Sequence, residues 1–320
     1  MNKNISIVIG DFGNKYDFIT SALIKSINEV YPSIKPLIIG KEIKSKNEEL
    51  INYLKENYTW AKSSPGSLRN ILWNEGLQIA ESDWVMFLDA DMLLIKKIDN
   101  FIKIAEEKKA EFIFTWRPSM PYWINMGFLL IKKNDKTVAF FDELVKQQIQ
   151  NVKLNIGAGQ YTFQNMLNRN KKEINEIATC NDQDKIFYFQ ENKINFAGIS
   201  CKKLNNIYHK DEITNDVHVV HYKGILGTIL LKDQKENRYE NTLKKDLFSY
   251  SLNEVKKMNF RLNLWRSYSD LNDKDLPIDI YLHYKRKRYK RYCFLLTQLI
   301  KIFLRPFIRF SSNFFRSSKR

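Results

Sequence analysis

The chain has 320 residues, of which 44% are hydrophobic and 13% aromatic, and its formal net charge at pH 7 is +16. This length allows one large α/β domain with appendages or two modest domains, and the apolar content excludes a chain that is disordered throughout. Three cysteines without close spacing form no metal-finger pattern and favour a reducing compartment. The N-terminus leads directly into a strand-like run at residues 5–9, which leaves no room for a signal peptide, so we expect a cytoplasmic protein.

The positive charge is concentrated at the C-terminus. Residues 281–320 carry 12 Lys/Arg and no Asp/Glu, which leaves 40 basic against 36 acidic residues in positions 1–280. This change in composition is the clearest boundary in the sequence. We expect an α/β domain over residues 1–235, a helical extension over 236–280 and a basic, aromatic tail over 281–320.

Strand and helix patterns alternate through the first half of the chain. In chain order, the hydrophobic periodicity predicts strands near residues 5–9, 36–39, 84–88 and 111–115, and helices near residues 16–30, 47–56, 67–80 and 98–108. Strands separated by helical segments indicate an α/β fold, with a mostly parallel sheet and helices on both faces. In such sheets ligands bind at the carboxyl ends of the strands, which is where Asp11, Asp89 and Asp91 fall.

The strand predicted at residues 84–88 stops at the sequence Asp89-Ala90-Asp91. An extended backbone places residues i and i+2 on the same face, so the two carboxylates are able to converge on one ion. Mg²⁺ and Mn²⁺ prefer hard oxygen ligands, and proteins usually hold them with one or two carboxylates plus substrate phosphates. The structural alternative is a strand-to-turn junction at which Asp is simply a good turn former.

Two further motifs follow the D-x-D. Residues 124–132 read I-N-M-G-F-L-L-I-K, and residues 217–224 read V-H-V-V-H-Y-K-G. Together with the first strand and the acidic residue after it, at residues 7–11, these segments resemble GT-A fold glycosyltransferases that use nucleotide sugars. The resemblance is closest to the family 8 galactosyltransferase and glycogenin-like group, and it covers roughly residues 5–230. It implies a GT-A fold and metal-dependent binding of a nucleotide sugar.

The resemblance implies a divalent cation, Mn²⁺ or Mg²⁺, held by three side chains. Asp89 and Asp91 correspond to the family's metal carboxylates, with Ala90 between them in the cofactor-binding segment. His221 corresponds to the family's third ligand, and a neutral imidazole is a suitable ligand for Mn²⁺. His218 lies in the same strand-like run but fits the motif less well, and we interpret it as structural.

The resemblance also implies how the donor is bound. Asp11 and Tyr16 correspond to residues that hold the base and ribose of UDP. Lys223 and Gly224 are positioned for the diphosphate, and Gly127 allows the backbone to approach the sugar. The structural alternatives are a turn aspartate for Asp11, a tyrosine at the edge of the core for Tyr16 and a glycine bulge in a buried strand for Gly127.

Three further residues are candidates for the catalytic machinery. By resemblance, Asn125 faces the sugar, and Arg69 reaches the metal carboxylates or the diphosphate, for which a guanidinium is well suited; a solvent-exposed helix arginine is the competing interpretation. The family has an Asp-Gln pair after the N-x-G segment. Here the best-spaced match ends in Gln160 and lacks the carboxylate, while a second match at residues 182–184 lies too far along the chain.

These assignments predict transfer of a sugar from a nucleotide diphosphate sugar, preferably a UDP-sugar, to a saccharide or lipid-linked saccharide acceptor in cell-surface glycan synthesis (lipopolysaccharide, lipooligosaccharide or capsule). The resemblance slightly favours retention, and no Asp or Glu stands out as the base that an inverting enzyme needs. A nucleotidyltransferase is the enzymatic alternative, but residues 10–15 match its Gly-rich loop poorly. A non-enzymatic membrane- or nucleic-acid-binding protein is the other alternative, and it leaves the motifs unexplained.

The tail combines a basic, tyrosine-rich run with an apolar segment. Residues 285–291 contain six Lys/Arg, and helical spacing then places Leu295, Leu299, Ile302 and Phe303 on one face. A helix that is basic on one side and apolar on the other is typical of the membrane interface. We therefore expect an anionic membrane surface as a partner, peripheral attachment to the inner face of the cytoplasmic membrane, and no nucleic acid, because nucleic-acid binding does not require the Phe and Leu content.

Overall fold

The computed structural model describes residues 5–12, 17–63, 68–118, 123–156, 159–167, 171–182, 184–207, 212–222, 251–269 and 296. Three of the predicted donor contacts, Tyr16, Lys223 and Gly224, lie outside these ranges, as does the tail except for residue 296. Within the described ranges, no helix is both long and apolar enough to cross a membrane.

The predicted alternation of strands and helices is confirmed, and the ends of the elements shift by at most two residues. The strands are β1 Ile5–Gly10, β2 Leu37–Ile39, β3 Trp84–Leu88, β4 Met92–Leu94, β5 Phe112–Trp116, β6 Ile124–Lys132, β7 Phe187–Glu191, β8 Ile194–Ser200 and β9 Val219–His221. The helices are α1 Asp17–Val30, α2 Glu48–Asn57, α3 Thr59–Ser63, α4 Arg69–Ile79, α5 Asp99–Glu107, α6 Asp135–Lys153, α7 Gln160–Leu167, α8 Lys171–Thr179, α9 Cys201–Leu204 and α10 Leu252–Tyr268.

Seven of these strands form one sheet in the order β2-β1-β3-β6-β5-β8-β7. β1 pairs in parallel with β2 and β3, and β5 pairs in parallel with β8. β6 is antiparallel to both β3 and β5, and β7 is antiparallel to β8. Five of the seven strands therefore run in the same direction, so the α/β class with a mostly parallel sheet is confirmed, and the arrangement is consistent with a GT-A fold.

Helices cover both faces of the sheet because its strands are apolar on both sides. In β3, for example, Trp84, Met86 and Leu88 belong to one core, and Val85 and Phe87 belong to the other. The first core is covered by α1, α5 and α9, and the second by α2, α4, α6 and α7. All five β3 side chains are buried, which fixes the position and direction of the strand that leads into the D-x-D.

A separate two-stranded ribbon lies just beyond the carboxyl end of β3. The chain leaves β3 through residues 89–91 and enters β4, which pairs antiparallel with β9. In this register Met92 is opposite His221. The ribbon therefore brings the second histidine motif next to the D-x-D, although the two are far apart in sequence.

Candidate metal centre

Backbone hydrogen bonds hold both aspartates of the D-x-D. The N–H of Asp89 donates to the carbonyl of Gly127 on β6 at 3.0 Å, which extends the β3–β6 ladder by one bond. The carbonyl of Asp91 accepts from the N–H of Tyr222 at 2.8 Å, which extends the β4–β9 ribbon in the same way. The backbone of Asp89 is thus held by the main sheet, and the backbone of Asp91 is held by the ribbon.

The structure brings together the three predicted metal ligands. His221 Nε2 lies 3.1 Å from Asp91 Oδ1 and 3.7 Å from Asp89 Oδ2, and one ligand atom from each residue falls within 4.8 Å of the others. The imidazole is 2% exposed, whereas the side chains of Asp89 and Asp91 are 13% and 29% exposed. The cluster is therefore closed on the imidazole side and accessible from the carboxylate side.

A buried network of amides and one hydroxyl lies behind the imidazole. His221 Nδ1 is 2.8 Å from Asn205 Oδ1. Asn205 Nδ2 donates to Thr115 Oγ1 at 2.8 Å and to Asn125 Oδ1 at 2.9 Å. Asn125 Oδ1 also accepts from the N–H of Gly127 at 2.9 Å. Four polar groups of β5, β6 and the loop after α9 thus fix the orientation of His221.

Asn125 and Gly127 have structural contacts in addition to the roles predicted for them. Asn125 is 1% exposed, and among the described residues its Nδ2 has no hydrogen-bond partner. A Cβ added to Gly127 would lie 2.8 Å from both Cε1 and Nδ1 of His221, and 2.5 Å from Cε of Met92. The missing side chain of Gly127 therefore leaves the space that the imidazole ring fills.

Arg69 lies at the start of α4 and faces the carboxylate cluster. Its Nε is 2.9 Å from Asp89 Oδ1, and its guanidinium carbon lies 4.7 Å from the centre of the Trp73 ring. The side chain is 20% exposed. The contact with a carboxylate of the D-x-D, which the family resemblance implies, is therefore present, and the alternative of a solvent-exposed helix arginine is wrong.

Asp11 lies beyond the carboxyl end of β1, as predicted, but its carboxylate is directed towards α1. It is 1% exposed, and its Oδ2 accepts from Thr20 Oγ1 at 2.8 Å. Its N–H donates to the carbonyl of Ile39 at 2.9 Å and so continues the β1–β2 pairing. These contacts give Asp11 a structural role, and its contact with a nucleotide stays a prediction.

Two other predicted site residues, Ala90 and Gln160, and the second Asp-Gln match each lie at a different place. Ala90 is partly buried against the core on the α1 face of the sheet. Gln160 is the first residue of α7, and Gln164, one turn later, accepts from the N–H of Trp123 just before β6. The second Asp-Gln match is on the surface: Asp184 is 80% exposed and pairs with Lys203 at 2.7 Å.

His218 has the contacts of a structural residue. Its Nδ1 lies 2.6 Å from the carbonyl oxygen of Lys97, and its ring packs edge-on against Phe101 with 5.0 Å between centroids. Burial lowers the pKa of His218, which favours the neutral ring.

Sequence reasoning did not find the residues that support His221. Asn205, Asn206 and Arg261 are all buried; Arg261 donates to the side chain and the carbonyl of Asn206, and to the carbonyl of His221 at 3.3 Å. Tyr222 in turn donates its hydroxyl to the carbonyl of Arg261 at 2.8 Å. Burial raises the pKa of Tyr222 far above its usual value, so the hydroxyl keeps its proton at neutral pH. The adjacent asparagines are the only sequence signal, and they carry no recognisable spacing to His221.

The donor atoms of the cluster fit a divalent cation. Two carboxylate oxygens and one imidazole nitrogen suit Mn²⁺ and are compatible with Mg²⁺, which leaves coordination positions for substrate phosphates. The fold and the cluster together define an α/β protein with a carboxylate–imidazole centre at the carboxyl end of its sheet.

No family model and no curated protein matches the sequence. Among solved structures, a glycosyltransferase involved in the glycosylation of the major capsid of PBCV-1 is 14% identical, with a TM-score of 0.40 over 69% of this chain and 95% of that one. The glycosyltransferase GlyE of Streptococcus pneumoniae TIGR4 is 13% identical, with a TM-score of 0.47; the match covers 90% of this chain but only 64% of GlyE. The galactosyltransferase LgtC, solved with donor and acceptor sugar analogues, is 13% identical, with a TM-score of 0.39 over 68% of this chain and 87% of LgtC. Because all three scores lie below 0.5, these likenesses carry no weight in the functional argument.

Proposed function

We propose that this protein is a divalent-cation-dependent glycosyltransferase that takes a sugar from a nucleoside diphosphate sugar, preferably a UDP-sugar, and transfers it to a saccharide. The observation that carries the proposal is the convergence of Asp89, Asp91 and His221 at the carboxyl end of β3. A carboxylate–imidazole centre at this edge of an α/β sheet is suited to bind a cation together with a diphosphate. The order of the sequence motifs supports the choice of a sugar donor.

The proposed reaction breaks the bond between the anomeric carbon of the sugar and an oxygen of the diphosphate. Negative charge accumulates on that oxygen as the bond breaks, and a bound divalent cation would neutralise it. In this chain Asp89, Asp91 and His221 would hold the cation, and the Arg69 guanidinium lies against the carboxylate of Asp89. The family resemblance slightly favours retention of configuration.

The finer assignments belong to the same proposal. The donor contacts would be Asp11, Tyr16, Ala90, Gly127, Lys223 and Gly224, with Asn125 and Gln160 beside the transferred sugar. The acceptor would be a saccharide or lipid-linked saccharide of a cell-surface glycan. The basic tail would hold the enzyme at the inner face of the cytoplasmic membrane, where lipid-linked acceptors are concentrated.

An Asp91→Asn variant tests the metal centre. Replacing this carboxylate by an amide removes one negative ligand, so Mn²⁺-dependent binding of UDP should be lost and sugar transfer should fall roughly 100-fold or more. Binding is measured by calorimetry with UDP in the presence and absence of Mn²⁺, and transfer with a panel of UDP-sugars. Thermal unfolding should stay close to that of the wild type, because the side chain of Asp91 is partly exposed.

The matched control is Asp182→Asn, because Asp182 is an exposed carboxylate in the competing Asp-Gln match. This variant should bind Mn²⁺ and UDP as the wild type does. Full transfer by Asp91→Asn, or by the wild type in EDTA, would exclude the proposed metal centre. Formation of a nucleotide sugar and pyrophosphate from a nucleoside triphosphate and a sugar phosphate would instead identify a nucleotidyltransferase.

A further inference from the structure

The side chain of Asn205 lies between the candidate metal centre and the main sheet. It is fully buried in the loop after α9, and its two ends contact different partners. The oxygen end lies 2.8 Å from His221 Nδ1, and the nitrogen end contacts Thr115 and Asn125. If the amide oxygen faces Nδ1, the imidazole has to donate a hydrogen there; if the amide nitrogen faces Nδ1, the imidazole has to accept one. The orientation of the amide therefore decides which ring nitrogen carries the hydrogen.

Two independent contacts fix that orientation. A backbone N–H is only able to donate, so the N–H of Gly127, 2.9 Å from the Asn125 side chain, requires an acceptor there. That acceptor is Asn125 Oδ1, and the Asn205 atom 2.9 Å from it must therefore be a donor, Nδ2. The Thr115 hydroxyl leads to the same result, because it donates its hydrogen to the carbonyl of Asn125 at 2.6 Å and accepts from Asn205.

The orientation of Asn205 determines the proton on His221. Asn205 presents Oδ1 to Nδ1, so Nδ1 carries the hydrogen and donates it. In the neutral ring the other nitrogen, Nε2, then has only its lone pair. That lone pair faces the carboxylates of Asp91 at 3.1 Å and Asp89 at 3.7 Å. Three electron-rich atoms that face one point repel each other unless a metal cation, or a second proton on the ring, lies between them.

We infer that Asn205 is a positioning residue: it holds the imidazole of His221 in the Nδ1–H tautomer and so presents the Nε2 lone pair to a cation at the Asp89–Asp91 pair. The role of the cation rests on the proposed function, but the tautomer does not. Partners that fix the second nitrogen of a metal-binding histidine typically change metal affinity by roughly 10- to 100-fold. The first donor in this series of contacts is the N–H of Gly127. It fixes the amide of Asn125, which in turn fixes the amide of Asn205 and so the tautomer of His221.

The tautomer is measured directly in the full-length, metal-free protein by long-range ¹H–¹⁵N correlation of labelled histidine, at a pH at which the ring is neutral. The signals of His221 are assigned by their loss in His221→Gln. We expect the wild type to show a protonated Nδ1 and a bare Nε2. In Asn205→Leu, which removes the acceptor at similar volume, the ring should revert at least partly to the Nε2–H form. Affinity for Mn²⁺ should fall roughly 10-fold or more.

Thr115→Val is the matched control, because it disturbs the same buried network and leaves the contact between Asn205 and His221 in place. It should keep the Nδ1–H tautomer and bind Mn²⁺ within a few-fold of the wild type. Asn205→Ala removes the same acceptor without adding bulk and should shift the tautomer in the same direction as Asn205→Leu, which covers the case in which Asn205→Leu does not fold.

An Nε2–H tautomer in the wild type would overturn the inference, and so would an unchanged tautomer in folded Asn205→Leu. A wild type with a protonated Nδ1 that binds no Mn²⁺ would support the tautomer assignment and reject the proposed function. Failure of the tautomer inference is therefore distinguishable from failure of the proposed function.

Discussion

At the scale of single residues, the glycine of the N-x-G motif makes the candidate site possible. Gly127 lies on β6 directly beside the imidazole of His221, and any side chain there would overlap the ring. Its carbonyl holds the N–H of Asp89, and its own N–H fixes the amide of Asn125. One residue without a side chain therefore serves the carboxylate, the imidazole and the supporting network together.

We predict that Gly127→Ala weakens metal binding. The new Cβ would lie 2.8 Å from two atoms of the His221 ring, and the ring is held by Asn205, so either the imidazole or β6 has to move. Over-packing of this kind typically costs about 1–3 kcal/mol of stability. Affinity for Mn²⁺, measured by calorimetry, should fall by roughly 10-fold or more, since a displaced Nε2 no longer faces the carboxylates.

Gly198→Ala separates this effect from a general loss of packing. Gly198 lies on β8 of the same sheet, and a Cβ there would lie 3.0 Å from the ring of Phe114. The control should lose stability but keep the Mn²⁺ affinity of the wild type. Equal metal binding by both variants and the wild type would mean that the imidazole does not need the space beside Gly127.

The sequence predicts the candidate metal ligands better than the residues that support them. Asp89 and Asp91 follow an apolar strand, and His221 lies in a recognisable motif, so chemistry and local pattern are enough to select them. Asn205 is a single polar residue in a loop, and its importance arises only from the pairing of β4 with β9, which places it behind the imidazole. A contact created by tertiary structure leaves no periodic pattern to find.

At the scale of secondary structure elements, helix α10 contacts the strand that carries the imidazole of the candidate metal centre. The helix begins with a capping box between Ser251 and Glu254, and it places Arg261 against β9. The guanidinium donates to both oxygens of Asn206 and to the carbonyl of His221. The buried guanidinium of Arg261 thus connects α10 to the strand that carries the imidazole.

We predict that Arg261→Met destabilises the protein and loosens His221. The substitution preserves much of the side-chain volume but removes the Arg261 donor from the buried Asn206 side-chain oxygen and from the carbonyl of His221; the Asn206 carbonyl keeps its bond from the N–H of His221 at 3.0 Å. We expect a net loss of about 1–3 kcal/mol in the free energy of unfolding, because relief from burying a cation offsets part of the cost. The loss is measured by denaturant unfolding, and Mn²⁺ affinity should fall with it.

The control for this prediction is Arg266→Met on the same helix. Arg266 pairs with Asn263 within α10 and is only partly buried, so its replacement should change stability by less than about 1 kcal/mol. If Arg261→Met matched this control in both stability and metal affinity, α10 would have no part in holding the site.

The order and direction of the strands were only partly predictable. Alternation of strands and helices predicted a mostly parallel sheet, because a helical crossover returns the chain in the same direction. The parallel pairs of β1 with β2 and β3 agree with this prediction, although the order of the strands was not predicted. The reversal of β6 was not predicted, since a continuous apolar run fits parallel and antiparallel strands equally well. That reversal matters for the site, because it places the start of β6, with Asn125 and Gly127, beside the end of β3.

At the scale of the whole molecule, charge and chemistry are separated along the sequence. Positions 1–280 are nearly balanced in charge, and they contain all the predicted site residues. Residues 281–320 carry 12 basic and no acidic residues and contain none of them. If the acceptor is attached to a membrane, as proposed, such a division would let the tail raise the local concentration of the enzyme without taking part in the reaction.

We predict that a chain ending at residue 280 folds and still transfers sugar to a water-soluble acceptor, but no longer binds anionic vesicles. This truncation retains α10 and its contact with His221, so the site should stay intact. Each Lys or Arg near an anionic surface contributes about 1 kcal/mol, and salt screens that attraction. In sedimentation with vesicles, the full-length protein should therefore pellet at low salt and partly release at high salt, whereas the truncated chain should stay in solution.

A full-length variant with Gln at the six basic positions between residues 285 and 291 distinguishes charge from apolar insertion. It keeps the Phe and Leu residues that follow, so it should pellet more weakly than the wild type and lose most of the salt dependence. Transfer to a lipid-linked acceptor in vesicles should decrease in the order wild type, Gln variant, truncated chain. Equal pelleting of the truncated chain would show that membrane binding resides elsewhere, and saturable binding of the full-length protein to single-stranded nucleic acid without lipid binding would assign the tail a different partner.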